Sequence, residues 1–323
     1  MTKTLYIAGC GRSGSTLLER ILNSHDRLFA TGELCYFLDS IDFDPNSKSY
    51  RDPEREFWSK VARDSLDDSS NLKQLRKNQL AFESILGLIQ CFRGNQFKSA
   101  LDYQAFNHRL FSAIEKYIPP ATEYLIDSSK TARLAFLRPI SLSKFANRDV
   151  KVIHLVRDGR GCIWSYLKGS NRKMERGLDA RIPFAAVRCS LTWFIAQTAA
   201  HIFQICHSSD HYLRVRYEDF VDNPKKTLNT IGAFLGIDFS RQIEMIQQGL
   251  DIPIAEQISG NRIRNQSKII LKKDWEWKQN LRWYHQLLFW TIDWHYALLY
   301  GYGSIGKFHK NSYEDRNSVD SQT

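Results

Sequence analysis

The chain has 323 residues, 43% hydrophobic and 25% charged, with a formal net charge of +10. That length and apolar content carry a sizeable core in one large domain or two small ones. The charge favours anionic ligands or surfaces, but basic residues are spread along the chain without an RNA-binding signature, zinc-finger spacing or basic-region helix, which excludes nucleic acid as the expected partner.

The first elements are a short apolar run, Leu5 to Ala8, a turn rich in glycine and hydroxyls, and a helical pattern from about 16 to 23 with Leu17, Leu18, Ile21 and Leu22 inward. The N–H groups at such a helix start are unpaired and the helix dipole is positive there, so a phosphate or sulfate is the natural ligand. Gly9 and Gly14 have the spacing of a nucleotide-binding P-loop and Thr16 holds its hydroxyl place. Ser15 stands where that motif needs lysine, and the basic residue is Arg12, inside the loop. The chain then turns back through His25 to Thr31 and reaches Gly32 and Glu33. Glu33 either caps the short helix suggested by Leu34, Phe37 and Leu38, or faces the anion loop as a base.

Residues 41–119 are rich in Asp, Ser and Lys, with helical patches at 78–91 and 102–117, and read as a helical insertion or lid ended by Pro119 and Pro120. Next, 123–127 is a short buried strand leading to Lys130, with a helix from about 131. Lys130 is either a surface lysine or a ligand-facing residue at a strand's carboxyl end. The clearest strand, 151–156, ends in Arg157, Asp158, Gly159, Arg160 and Gly161 before a helix. Arg157 and Ser165 are placed to reach an anion. Asp158, between two arginines, suits an ion pair better than a magnesium site. A long helix over 183–207 with Val187, Leu191, Phe194 and Ile202 inward, a strand over 211–217 and a helix over 227–235 stopped by Gly236 follow. The last part has a donor-rich loop at 259–264, an aromatic helix over 283–300 read as core, and a polar tail from 307 expected to be disordered. Strands alternating with helices through short linkers predict an α/β fold with a central parallel sheet flanked by helices, as one domain over 1–306.

The six cysteines form no C-x-x-C pair, and several lie in apolar runs, which suits reduced, buried thiols. The first strand begins too early for a signal peptide, and no apolar run reaches the roughly 20 residues of a membrane span. A cytoplasmic protein is expected.

Residues 11–18, Gly-Arg-Ser-Gly-Ser-Thr-Leu-Leu, resemble the 5′-phosphosulfate loop of the sulfotransferases that use 3′-phosphoadenosine 5′-phosphosulfate (PAPS). Residues 155–160 with Ser165 resemble the family's 3′-phosphate motif. Arg216 to Phe220, with Asn223 and Pro224, and Ser259 to Arg262 resemble further family segments. The resemblance covers about 1–40 and 120–305 and is nearest to bacterial sulfotransferases and the tyrosylprotein branch, in which a Gly-Glu pair after the first helix supplies the base. It implies a P-loop-like three-layer fold and PAPS as donor, with no metal required. It implies a hydroxyl-bearing acceptor (sugar, lipid, peptide tyrosine or small metabolite). Catalytic roles fall on Glu33, Arg12 and Lys130. Cofactor contacts fall on Gly11, Arg12, Ser13, Gly14, Ser15, Thr16, Leu17, Arg157, Ser165, Tyr217, Asn261 and Arg262. Apolar surroundings would raise the Glu33 pKa and a nearby Arg12 lower it. His108 and His154 are the alternative bases. The rival functions are a P-loop kinase or NTPase and a non-catalytic nucleotide-binding protein.

Overall fold

The computed structural model describes residues 1–40, 53–66, 71–93, 97–131, 133–169, 182–250, 271 and 274–303. Among them five parallel strands form one sheet: β1 (Lys3–Ala8), β2 (Leu28–Gly32), β3 (Tyr124–Asp127), β4 (Val150–Val156) and β5 (Tyr212–Arg216). Their spatial order is β2-β3-β1-β4-β5. Leu5 pairs with Ile126 on one side and with Lys151 on the other, so β1 is central. Its residues from Thr4 to Ala8 are all buried, as a strand covered on both faces requires. The chain order reverses beside β1, and in such sheets ligands bind at the carboxyl ends of the strands at that point.

The helices, numbered along the chain, are α1 (Ser15–Asn23), α2 (Phe37–Ser40), α3 (Pro53–Ser65), α4 (Leu72–Glu83), α5 (Gly87–Arg93), α6 (Lys98–Tyr117) and α7 (Arg138–Lys144). They continue with α8 (Gly159–Leu167), α9 (Ala185–Cys206), α10 (Tyr217–Asp222), α11 (Pro224–Leu235), α12 (Ser240–Gln247), α13 (Glu276–Asn280) and α14 (Trp283–Leu299). One face of the sheet packs against α3, α4, α6 and α7. The other packs against α1, α11 and α12. A third apolar cluster joins α8, α9, α13 and α14 around Trp193, Trp277 and Phe289.

Five expectations need correction. The stretch read as a turn from His25 to Thr31 contains β2, an edge strand bonded only to β3. The 78–91 patch is two helices, interrupted at Ser84, whose backbone is extended. The helix expected from about 131 begins at Arg138, after a single 3₁₀ turn at Arg133–Ala135. In α9 the large residues Val187 and Leu191 are exposed, while Ala186, Ser190, Ala196, Ala199 and Ala200 are buried. Small side chains let this helix approach closely: the Ala196 carbonyl accepts a 2.9 Å hydrogen bond from Thr131. The aromatic helix is also not all core, since Trp283 and Trp294 of α14 are more than half exposed.

Candidate active site

Apart from His108 and His154, the described candidate residues follow the carboxyl ends of the five strands. The turn after β1 needs glycine at two points. A Cβ on Gly9 would stand 2.4 Å from the Leu155 carbonyl oxygen, and Gly14, at φ 91°, lies under the ring of Tyr217. Arg12 also has a left-handed backbone, φ 71°. Such strain in a non-glycine residue concentrates at functional loops. Ser15 and Thr16 open α1 with buried side chains. Leu17 places its side chain in the core and gives its N–H to the Gly14 carbonyl. Gly11 lies beneath Tyr166, whose hydroxyl would be 3.2 Å from an added Cβ.

Arg157 closes the other side of this loop. Its guanidinium donates to the Arg12 carbonyl at 2.8 Å and lies 4.7 Å from the centre of the Tyr217 ring. It also pairs with Asp274 at 2.8 Å, and the second Asp274 oxygen is buried with no hydrogen-bond partner among the described residues. Burial would lower the Arg157 pKa, but Asp274 and the ionisable groups around it hold it above the usual value. Ser165 is half-buried on α8. Asp158 is engaged as an ion pair: it caps α8 through the Arg160 N–H and holds the Arg160 guanidinium with both oxygens at 2.8–3.0 Å. Asn261 and Arg262 lie outside the described residues.

Glu33 and Lys130 meet where β2 and β3 end. The Lys130 ammonium donates to Glu33 Oε1 at 2.5 Å and to the Ser128 carbonyl at 3.2 Å. Glu33 precedes the 3₁₀ turn Leu34–Tyr36, yet its side chain makes no capping bond. The cation beside Glu33 is Lys130; the Arg12 guanidinium donates to the Gly169 carbonyl instead. Burial opposes the Lys130 charge, but the Glu33 carboxylate outweighs it and raises the pKa. Two reciprocal bonds tie this corner to the β1 turn: Gly9 N–H to Thr131 Oγ1 at 3.1 Å, and Thr131 N–H to the Gly9 carbonyl at 3.2 Å. The alternative bases are elsewhere. His154 is fully buried between Tyr212 and Gln197, where burial drives its pKa down to about 3. His108 is exposed on α6.

Sequence reasoning passed over Glu19. This α1 residue is 1% exposed, accepts from the Gly32 N–H at 2.9 Å and pairs with the Ser128 hydroxyl at 2.8 Å. Burial pushes its carboxyl up to about 8. It therefore bridges the backbone just before Glu33 to the strand end just before Lys130. A charged residue at a position facing inward on an amphipathic helix was the available signal. A second buried set, Asp127, Arg138 and Glu83, with Tyr103 donating to Glu83, anchors α4 and α7 to the end of β3.

A family model described as "Sulfotransferase family" matches residues 5–241. The chain is similar to a solved structure of the sulfotransferase domain from the curacin biosynthetic pathway, at 20% identity over 83% of each chain with a TM-score of 0.46. It is also similar to the sulfotransferase domain of the Synechococcus PCC 7002 olefin synthase, at 21% identity over 75% of this chain and 77% of that one, TM-score 0.41. A mouse sulfotransferase complexed with PAP aligns over 90% of this chain and 82% of its own, at 10% identity and a TM-score of 0.47. No curated protein matches the sequence. The family match runs from β1 through β5 into α12 and takes in the β1–α1 turn, Glu33, Lys130 and Arg157, so the chain belongs to the sulfotransferase family.

Proposed function

We propose that the chain moves a sulfuryl group from PAPS to an acceptor hydroxyl, with Glu33 as general base. The observation that carries this reading is the Glu33–Lys130 pair, tied through the two Gly9–Thr131 hydrogen bonds to the glycine turn that opens α1. The donor supplies an activated sulfuryl group on a 5′-phosphate leaving group. Glu33 takes the acceptor proton as the new oxygen–sulfur bond forms and the bond to the 5′-phosphate breaks. The loop amides, Arg12, Ser15 and Thr16 meet the charge that develops on the departing phosphate. Lys130 holds the Glu33 carboxylate in place and stands ready for the transferring group.

Arg157, Ser165 and Tyr217, joined by Asn261 and Arg262, hold the 3′-phosphate end. The residues suit an anion there, because the Arg157 guanidinium already holds a carboxylate, from Asp274. In this reading 1–306 is one domain, the 41–119 helices flank the acceptor, and the acceptor is a sugar, lipid, peptide tyrosine or small metabolite. Four buried free thiols, Cys10, Cys35, Cys162 and Cys189, accord with a reducing cytoplasm. The absence of lysine at position 15 disfavours a kinase or NTPase.

Thermal denaturation with adenosine 3′,5′-bisphosphate, and separately with Mg-ATP, tests the donor. Bisphosphate at 100 times its dissociation constant should stabilise the fold by about 2.7 kcal/mol, a rise of several degrees. Arg157→Ala should weaken that binding by roughly 1.5–3 kcal/mol. Stabilisation by Mg-ATP alone would overturn the reading in favour of a kinase. Glu33→Gln should keep the bisphosphate shift while turnover falls roughly 100-fold or more. Full turnover in that variant would move the base elsewhere.

A further inference from the structure

Helix α14 carries apolar residues on two sides. Its buried stripe is Gln286, Phe289, Asp293 and Ala297. Two of those four residues are polar, and Asp293 is fully buried, accepting a 2.6 Å hydrogen bond from Ser190 of α9. The outward stripe is Trp283, Leu287, Trp294 and Leu298, each between 51% and 59% exposed. Steps of four, seven and four residues place these on one helix face, a line about 22 Å long at 1.5 Å per residue. Tyr284 and Leu299 widen it. A helix stabilised only by its own core turns its apolar side inward. Here large apolar residues line an outward side as well, opposite Leu288, Phe289, Trp290 and Tyr296, which pack in and on the core, and this marks the outward side as a contact surface.

The charges around this stripe select the occupant. Asp293 is the one acidic residue of α14 and is buried; α9, packed beside it, has no acidic residue at all. Exposed Arg282 precedes the stripe, exposed Lys278 lies a turn earlier, and α9 exposes Arg188. The face thus combines indole and phenol rings, leucines and cations, and the exposed carboxylate beside Lys278, Glu276, is paired with Lys168. A second copy would meet it with charge of the same sign. An anionic bilayer meets it with opposite charge at the headgroups, apolar depth for the leucines, and an interface where tryptophan and tyrosine rings settle.

We propose that α14 lies in the surface of an anionic membrane, with its Trp283–Leu298 stripe in the headgroup region. No helix among the described residues is long and apolar enough to cross a bilayer, so the contact is peripheral.

The test is co-sedimentation of the full chain with phosphatidylcholine vesicles, with and without phosphatidylglycerol, together with tryptophan emission. Binding should require phosphatidylglycerol, weaken with added salt and shift the emission to the blue. Trp294→Glu and, independently, Leu298→Glu should lower the partition coefficient about tenfold or more. Both should keep the melting temperature and bisphosphate shift of the unaltered chain, which separates a lost surface from a lost fold. No partition of the unaltered chain, or undiminished partition of either folded variant, would overturn the proposal. So would a concentration-dependent dimer in analytical ultracentrifugation that Trp294→Glu dissolves, because the occupant would then be a second copy.

Discussion

Glu19 shows how a single buried carboxyl can govern the behaviour of its neighbours. Its folded pKa of about 8 lies above the ordinary 4.5 because burial penalises the charged form. Between those two values an unfolded chain releases the proton while the folded chain keeps it. Stability from this residue is therefore full in acid, declines as pH rises across that window, and levels off above about 8. Glu19→Gln imitates the protonated side chain: its carbonyl can accept from Gly32 and its amide can donate to the Ser128 hydroxyl. At mildly alkaline pH the variant should be the more stable by on the order of 2–4 kcal/mol, and in mild acid the two should match. Urea denaturation of both proteins at the two pH values measures this, and parallel pH dependences would refute it. Glu33 and Lys130 were singled out in sequence, Glu33 by its Gly-Glu pair and Lys130 by its place after an apolar strand. Glu19 was not, because its meaning depends on two backbone positions, at 32 and 128, that only the folded sheet brings to it.

The same contrast holds for elements. β1, β3, β4 and β5 were readable as apolar runs ending in glycine or polar turns. β2 was not, because an edge strand of five residues that ends in glycine gives a weak pattern. The inward face of α9 was misread in phase: its buried stripe runs through Ala186, Ser190, Trp193, Gln197 and Ala200, beside the residues expected inward. The β1–α1 turn was legible in full, and its glycines are steric requirements. A Cβ on Gly14 would lie 2.5 Å from the Tyr217 ring, on a backbone that side chains rarely adopt. Gly14→Ala should cost about 1–3 kcal/mol of stability and abolish the bisphosphate shift. An unchanged melting temperature would show that Tyr217 does not press on this turn.

Across the whole molecule, distant segments complete the site. Asp274, far along the chain, occupies the guanidinium that sequence assigned to a phosphate. If the two anions compete, Asp274→Asn should raise bisphosphate affinity severalfold, by calorimetry; a weaker affinity would make Asp274 a support of the site. The 41–119 region was legible only as helical. Its attachment through Glu83, Arg138 and Asp127 joins three separate segments, which no local pattern records. The position of β1 has a consequence for synthesis. Thr4 pairs with Leu125 on one side and Val150 on the other, so both partners of the first strand leave the ribosome long after it. At about 5–20 residues per second, some 150 residues take roughly 7–30 s. Throughout that time the apolar N-terminal segment has no sheet to join. It is open to chaperones, and the turn between β1 and α1 acquires its shape only once β4 has been translated.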